Sequence, residues 1–490
     1  MYLTTQLQNP TLFQQQAFIN GRFTDAHGGK TFPVTNPVDG KEIAVVPDCG
    51  EEDTLQAIRH AHEAFKTWRK WTGIERGKVL RRWYELMMEN MDDLATILTL
   101  EQGKPLSEAR GEIKYGASFV EWFAEEARRV YGDIIPGHQR DKRILVLEQP
   151  VGVTTAITPW NFPNAMITRK VAPALAAGCT CVIKPAEATP LSALAIAHLA
   201  VEAGFPPGVV NIITTNQADK VGKVMSTHPL VKKLSFTGST AVGKLLMKQA
   251  ADTVKKVSLE LGGNAPFIVF PDADLDAAVE GAVASKYRNA GQTCVCANRI
   301  FVHEDIYAGF LKKLKAQVLK LKVGDGRTED VLIGPLIDEA ALEKVEMLVA
   351  DALEKGGQTI IGGARHKMGG TFYEPTILSE VNPKMKLHDT EIFGPVSPVY
   401  SFSSTDEVIR LANDTPYGLA AYVYGKNIDL IFKVAEELEY GMVGINTGMV
   451  STPVAPFGGV KESGFGREGS KYGMDEYLVK KYLCLGVSDG

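Results

Sequence analysis

The sequence predicts an α/β protein built from two parallel-sheet units, with a β-hairpin standing apart from both. Three observations predict it. Short apolar strands alternate with helical segments from residue 151 onward. A second such alternation begins after residue 262. Between the N-terminal helices and the first strands lies residues 130–150, two strand-like runs around a Pro-Gly turn with a polar tip. Alternating strands and helices mark parallel sheets with crossover helices. The 490 residues are too many for one hydrophobic core, which agrees with two units.

Taken in order, residues 51–69, 74–101 and 105–131 read as helices, with Ala, Leu, Ile and Met at helical spacing. The hairpin at 130–150 reads either as a projecting arm or as an ordinary surface hairpin. Strands are predicted at 151–157, 179–183, 209–213 and 232–236, with helices at 164–177, 190–203 and 218–227 between them. The second unit has strands near 265–270, 298–302, 396–401 and 442–446. The closing run KKYLCLGV reads as a strand that pairs with the hairpin or with another subunit. The chain thus divides into residues 1–127 with 148–261, residues 262–474, and an arm of 128–147 with 475–490. Sheets of this kind bind ligands at the carboxyl ends of their strands.

Composition narrows the function. The chain is 45% hydrophobic and 23% charged, and 53 basic against 58 acidic residues give a net charge of −5. No basic block appears, which argues against nucleic-acid or membrane-surface partners. The first twenty residues lack the pattern of a secretory leader, and no apolar run is long enough to span a bilayer, so a cytoplasmic location is expected. Six cysteines fit a reducing compartment. Their two Cys-x-Cys pairs lack zinc-site spacing, so no metal is expected.

Several local patterns bear on chemistry. Gly464-Phe-Gly466-Arg-Glu-Gly469 matches a dinucleotide fingerprint literally, yet no predicted strand precedes it, and that motif needs a strand–turn–helix setting. Gly238-Ser-Thr-Ala-Val-Gly243-Lys244 approaches a phosphate-binding P-loop, but Leu245 replaces the metal-binding hydroxyl, which excludes ATP hydrolysis. A strand, a turn at Thr237 to Ser239 and a helix over 242–251 remain. A helix N-terminus there offers N–H groups suited to a pyrophosphate, or simply a βα turn capped by Ser239. Glu260 closes the strand KVSLE ahead of Leu261-Gly-Gly-Asn264, where a carboxylate can act as a general base or merely face solvent. Cys294 and Cys296 follow Gly291 in a segment that reads as a turn leading into a helix. A cysteine at a helix N-terminus has a lowered pKa and is nucleophilic, and these residues alone do not choose between the two.

Together these segments resemble the aldehyde dehydrogenase superfamily over nearly the whole chain. The resemblance rests on Thr158-Pro-Trp-Asn-Phe-Pro163, Lys184-Pro-Ala-Glu187, Phe236-Thr-Gly-Ser239 with Gly243, Glu260-Leu-Gly-Gly-Asn264, Gly291-Gln-Thr-Cys294, Glu391-Ile-Phe-Gly-Pro395 and Pro456-Phe-Gly-Gly459, in the family's order. It implies an NAD(P)⁺-binding, Rossmann-like domain, a catalytic domain and an oligomerisation arm that forms homodimers or homotetramers. It implies Cys294 as nucleophile, Glu260 as general base, and Asn161 with the Cys294 N–H as oxyanion donors. Thr158, Pro159, Trp160, Lys184, Glu187, Gly238, Ser239, Gly243, Leu261, Glu391 and Phe393 would contact the cofactor. Lys184 and Glu187 would hold the adenosine ribose, and Glu391 and Phe393 the nicotinamide end. Relatives that pass the acyl group to coenzyme A lack the glutamate, so Glu260 favours hydrolysis to a free acid.

Within the family, NFPNAMITRK (161–170), YRNAGQTCVC (287–296) and NTGMVSTPVAP (446–456) resemble the subgroup that oxidises succinate semialdehyde. That likeness implies Arg169, Arg288 and Ser451 as grips for a substrate carboxylate, a role suited to guanidinium groups. An ion-pair role for either arginine is the alternative, and glutarate semialdehyde, one methylene longer, is the alternative substrate. The subgroup also implies a Cys294–Cys296 disulfide as a redox switch. Glu187 would accept hydrogen bonds from a ribose 2′-hydroxyl and repel a 2′-phosphate, which favours NAD⁺ over NADP⁺.

Overall fold

The computed structural model describes residues 7–488. Positions 1–6 and 489–490, assigned above to the first unit and the arm, lie outside the described residues.

The first predicted alternation forms the centre of an eight-stranded sheet. Lys256–Glu260, Val231–Thr237, Val153–Ile157, Thr180–Lys184 and Val210–Ile212 run parallel, in that spatial order. The middle three are buried almost throughout because helices cover both faces, which is why they read as continuous apolar runs. The helices Ala165–Ala177 and Leu191–Ala203 each end at a glycine with positive φ, Gly178 and Gly204. Two edges escaped the sequence reading. The short strands Ala17–Ile19 and Arg22–Thr24 extend the sheet beyond Val210–Ile212. On the opposite edge Gly464–Phe465 pairs antiparallel with Leu259 and Glu260, so the chain returns from the second unit to the first at the end of the glutamate strand.

The second sheet has seven strands. Ala265–Val269 and Ala297–His303 lie at its centre, flanked by Val396–Phe402 and Ala420–Tyr424, with Thr376–Ser379 and Met442–Ile445 outside them. Gln358–Ile361 adds an antiparallel edge. Each sheet has its own large apolar core.

Two helix boundaries differ from expectation. The segment 74–101 is two helices, Gly73–Glu89 and Met91–Gln102, because Asn90 leaves helical geometry and its Nδ2 donates to the Leu86 carbonyl at 2.9 Å. The segment 105–131 is helical only over Leu106–Glu126. Beyond it the chain enters the arm, where Gly132 lies against the Val146 carbonyl too closely for a Cβ. The arm is a three-stranded antiparallel sheet of Asp133–Ile135, Lys142–Pro150 and Leu478–Gly486. The C-terminal strand therefore pairs with the hairpin over nine residue pairs. Among the described residues no second layer covers it: Ile134 is 86% and Tyr482 58% exposed. Among the described residues no helix is long and apolar enough to cross a membrane.

Candidate active site

A cleft of about 330 Å³ opens at the carboxyl ends of the first sheet's strands. Its lining brings together Pro159, Trp160, Asn161, Gly238, Ser239, Leu261, Cys294, Glu391 and Phe393 from the sequence-derived set. The register of the sheet explains the meeting. Thr158 follows the strand Val153–Ile157, Lys184 ends its neighbour, and the Thr158 N–H donates to the Lys184 carbonyl at 3.1 Å. Thr237 and Glu260 are paired at the ends of the next two strands.

Two glycines show why the loops must carry their motifs. A Cβ on Gly263 would lie 2.2 Å from the Cys294 carbonyl oxygen, so the loop after Glu260 abuts the cysteine backbone. Gly291 has φ +76°, and a Cβ there would meet the Gly394 carbonyl oxygen at 2.1 Å. The three loops carrying Glu260, Cys294 and Glu391 are thus in backbone contact. The Gly263 N–H also donates to Glu391 Oε1 at 3.0 Å.

Cys294 faces the cleft, whereas Cys296 is buried behind it, with its thiol directed to the Lys286 carbonyl at 3.7 Å. Both are free thiols. The local setting differs from the expected turn into a helix: a 3₁₀ turn, Arg288–Gly291, precedes Cys294, and the strand Ala297–His303 follows it. No helix dipole lowers its pKa. Burial, with Glu391 and Glu260 nearby and only Arg169 opposing them, pushes the thiol up to about 12.

Glu260 is 3% exposed and neither carboxylate oxygen has a hydrogen-bond partner among the described residues. Burial, then repulsion from Glu468, holds it well above the ordinary carboxylate range, against the pull of Arg169 and Lys170. Asn161 Nδ2 donates to the Gln292 carbonyl at 3.0 Å, which ties the proposed oxyanion donor to the cysteine loop. Burial raises Glu391 to about 7, opposed by the Gly263 N–H and by Lys344 and Lys286.

The dinucleotide end fits the residues present. Ser239 caps the helix Thr240–Ala251 through an Oγ that accepts from the Val242 N–H at 3.4 Å. First-turn N–H groups of such a helix suit a pyrophosphate. Thr158 and Thr237 carry buried hydroxyls with no partner in the protein. Gly243 leaves room for Leu261, whose side chain would lie 2.4 Å from a Cβ there. Lys184 Nζ and Glu187 Oε2 are 3.1 Å apart beyond the end of the strand Thr180–Lys184; the lysine is buried and half of the Glu187 side chain is exposed. Trp160 and Phe393 meet edge to face at 5.6 Å.

The three residues assigned to a substrate carboxylate converge on one that the sequence reading missed, Tyr115. Its hydroxyl lies 3.5 Å from Arg169 Nη1, and the Arg169 and Arg288 charges and the Ser451 hydroxyl all act on it. The two arginines are not equivalent. Arg169 is 1% exposed, ion-paired with Glu468 at 2.7 Å and stacked 3.9 Å from the centre of the Phe457 ring. Arg288 is half-buried, sits 5.4 Å from the Phe162 ring centre and has no ion-pair partner among the described residues. Lys344, which lines the cleft beside Glu391, was also missed. Neither Tyr115 nor Lys344 lies in a glycine-rich or strand-end motif, so no local signal marked them.

The chain is similar to known proteins. The family model described as "Aldehyde dehydrogenase family" matches residues 23–483. The chain is 58% identical over 482 residues to a succinate-semialdehyde dehydrogenase [NADP(+)] of Escherichia coli, covering 98% of this chain and all of that one. It is equally identical over 481 residues to a glutarate-semialdehyde dehydrogenase of Pseudomonas aeruginosa, covering 98% and 99%. The crystal structure of a succinate-semialdehyde dehydrogenase from Burkholderia pseudomallei superposes with a TM-score of 0.97 at 57% identity, covering 98% of this chain and all of that one. On the family match, the shared fold and the meeting of its motifs in one cleft, this chain belongs to the aldehyde dehydrogenase family.

Proposed function

We propose that this protein oxidises a carboxylate-bearing semialdehyde, succinate semialdehyde to succinate, with NAD(P)⁺. The observation that carries the reading is the position of Cys294. It lines the helix-terminus cleft, with Glu391, Arg169 and Glu260 in its electrostatic reach, and Arg288, which has no ion-pair partner among the described residues, begins the 3₁₀ turn that precedes it. An aldehyde held by its far carboxylate would present its carbonyl carbon to the thiol.

The protein's own groups then act in sequence. Because burial keeps the thiol protonated, its proton must pass to a base as sulfur attacks, and Glu260 is the buried carboxylate free to accept it. The Asn161 amide and the Cys294 N–H stabilise the resulting alkoxide, and each such donor is worth about 2.7–4 kcal/mol in comparable sites. A bound nicotinamide supplies the hydride acceptor. After passing that proton to solvent, Glu260 is again a carboxylate and deprotonates the water that releases the acyl group from Cys294. The tight packing of the three loops keeps these groups in register.

Arg288 is the principal anchor for the substrate carboxylate. Arg169, already paired with Glu468, contributes through its field and through Tyr115, and Ser451 adds a hydroxyl. One methylene changes discrimination by only about 1–3 kcal/mol, so glutarate semialdehyde is the second substrate to test. The relative from Pseudomonas aeruginosa is the reason to include it. NAD⁺ is the preferred cofactor in this reading, because the Glu187 carboxylate would accept from a ribose 2′-hydroxyl and would repel a 2′-phosphate. Lys184 offsets part of that charge, so NADP⁺ is disfavoured without being barred. The two sheets correspond to a cofactor domain and a catalytic domain, and the arm to an oligomer contact.

A kcat/KM panel of succinate semialdehyde, glutarate semialdehyde and butanal with both cofactors tests the proposal, with Cys294→Ala as the control. Highest efficiency with an uncharged aldehyde, or turnover that survives loss of Cys294, would overturn it.

A further inference from the structure

The loop that carries Asn161 is gripped from beneath by ions that play no part in the scheme above. Lys104 is 2% exposed, just ahead of the helix Leu106–Glu126. Its Nζ donates to Glu112 Oε2 at 2.5 Å and to the Asn161 carbonyl at 2.8 Å, and lies 4.0 Å from the centre of the Phe162 ring. The other oxygen of Glu112 accepts from the Asn164 and Ala165 N–H groups at 2.9 and 3.2 Å, at the start of the helix Ala165–Ala177. Asn289 completes the link. Its Nδ2 donates to the Asn161 carbonyl at 2.9 Å and to the Gln292 carbonyl at 3.3 Å, which also accepts from Asn161 Nδ2. Asn289 and Ala290 hold left-handed φ values of 53° and 54°, and Glu108 Oε2 accepts from the Asn289 N–H at 2.8 Å.

The oxyanion loop and the cysteine loop are therefore one hydrogen-bonded unit with the Lys104–Glu112 pair at its base. A buried ion pair is a poor source of stability, because desolvating two charges offsets their attraction, and apolar replacements are often neutral or stabilising. Its geometric effect here is direct. Two donors on the Asn161 carbonyl fix the plane of that peptide, and the plane sets where the Asn161 amide points.

We propose that Lys104, held by Glu112, is a positioning residue that aims the Asn161 amide at the developing oxyanion. This inference rests on the aldehyde-oxidation reading. A double-mutant cycle tests it with NAD⁺ and succinate semialdehyde, using wild type, Lys104→Met, Asn161→Ala and the double variant. Lys104→Met is expected to lower kcat about tenfold or more, the scale of a sub-ångström to ångström misplacement, with little change in KM. In the Asn161→Ala background the same substitution should cost less than about twofold, since coupled residues are not additive. Lys104→Arg should restore part of the loss. The rate of Cys294 alkylation by iodoacetamide should not change.

An equal loss in both backgrounds, or slowed alkylation of Cys294, would show that Lys104 acts on the fold or the nucleophile and would overturn the inference. Should Lys104→Met fail to fold, Lys104→Met/Glu112→Gln removes the unpaired charge, keeps an acceptor for Asn164 and Ala165, and enters the same cycle. Failure of the parent reading shows separately, as no aldehyde-dependent reduction of NAD⁺ by wild type, and both then fall.

Discussion

The Gly238 N–H donates to the carbonyl oxygen of Glu260 at 3.1 Å, where Thr237 and Glu260 face each other at the ends of adjacent parallel strands. One hydrogen bond thus fastens the turn that begins the Ser239-capped helix to the residue proposed as general base. The proposed cofactor site and the proposed base share the mouth of one sheet because two neighbouring strands end together.

Glu260 sets a rising pH limb. Its pKa lies well above the ordinary carboxylate value, because it is buried and faces Glu468. A raised pKa keeps the acid form to higher pH, so the base is absent in acid. Turnover is therefore expected to climb as pH increases through the range above 4.5. Glu260→Gln should flatten that limb, slow turnover about 10²–10⁴-fold and slow the first-turnover formation of NADH as well, as stopped-flow absorbance would show.

The thiol of Cys294 should be sluggish in the free enzyme. With burial holding it near 12, alkylation by iodoacetamide is expected to accelerate with pH without a plateau below the alkaline range. A plateau near neutral pH would contradict this. Cys294→Ala should lower turnover by about 10³-fold or more, whereas Cys296→Ala, behind the cleft, should retain most of it.

Substitution should separate the two arginines. Arg288→Ala removes a charge-assisted contact worth about 1.5–3 kcal/mol, so kcat/KM for succinate semialdehyde should fall about tenfold to a hundredfold while that for butanal changes little. Arg169→Ala strips Glu468 of one of its two cationic partners, Lys170 being the other. It should cost about 3–5 kcal/mol of stability, visible as a lowered Tm.

Cofactor choice should turn on Glu187. Replacing it with Gln removes the charge opposed to a 2′-phosphate. Efficiency with NAD⁺ is expected to drop about tenfold, the scale of one charged hydrogen bond, while efficiency with NADP⁺ rises. Unchanged preference would place discrimination elsewhere on the rim.

The arm exposes an apolar face that nothing among the described residues covers. Ile134→Asp with Leu485→Asp puts charge on two of its exposed positions. If copies of the chain associate through this sheet, light scattering should show a smaller species for the variant than for wild type.

Much of this molecule was legible in advance, and the reason is local. The central strands are apolar because both faces are covered, so 151–157, 179–183 and 232–236 announce themselves. The turn at 237–239, the strand closing on Glu260 and the loop ending in Cys294 are contiguous in sequence, and so is the chemistry each carries. The strands at 17–19 and 22–24 are too short to show a period, and only pairing with Val210–Ile212 makes them part of the sheet.

Tertiary structure decided the rest. The carboxylate that holds Arg169, the approach of Arg169 to Tyr115, and the grip of Lys104 on Asn161 all join segments remote in the chain. Burial likewise reversed the expected acidity of the thiol, because the low-dielectric surroundings that raise it exist only once both sheets have closed around the loops.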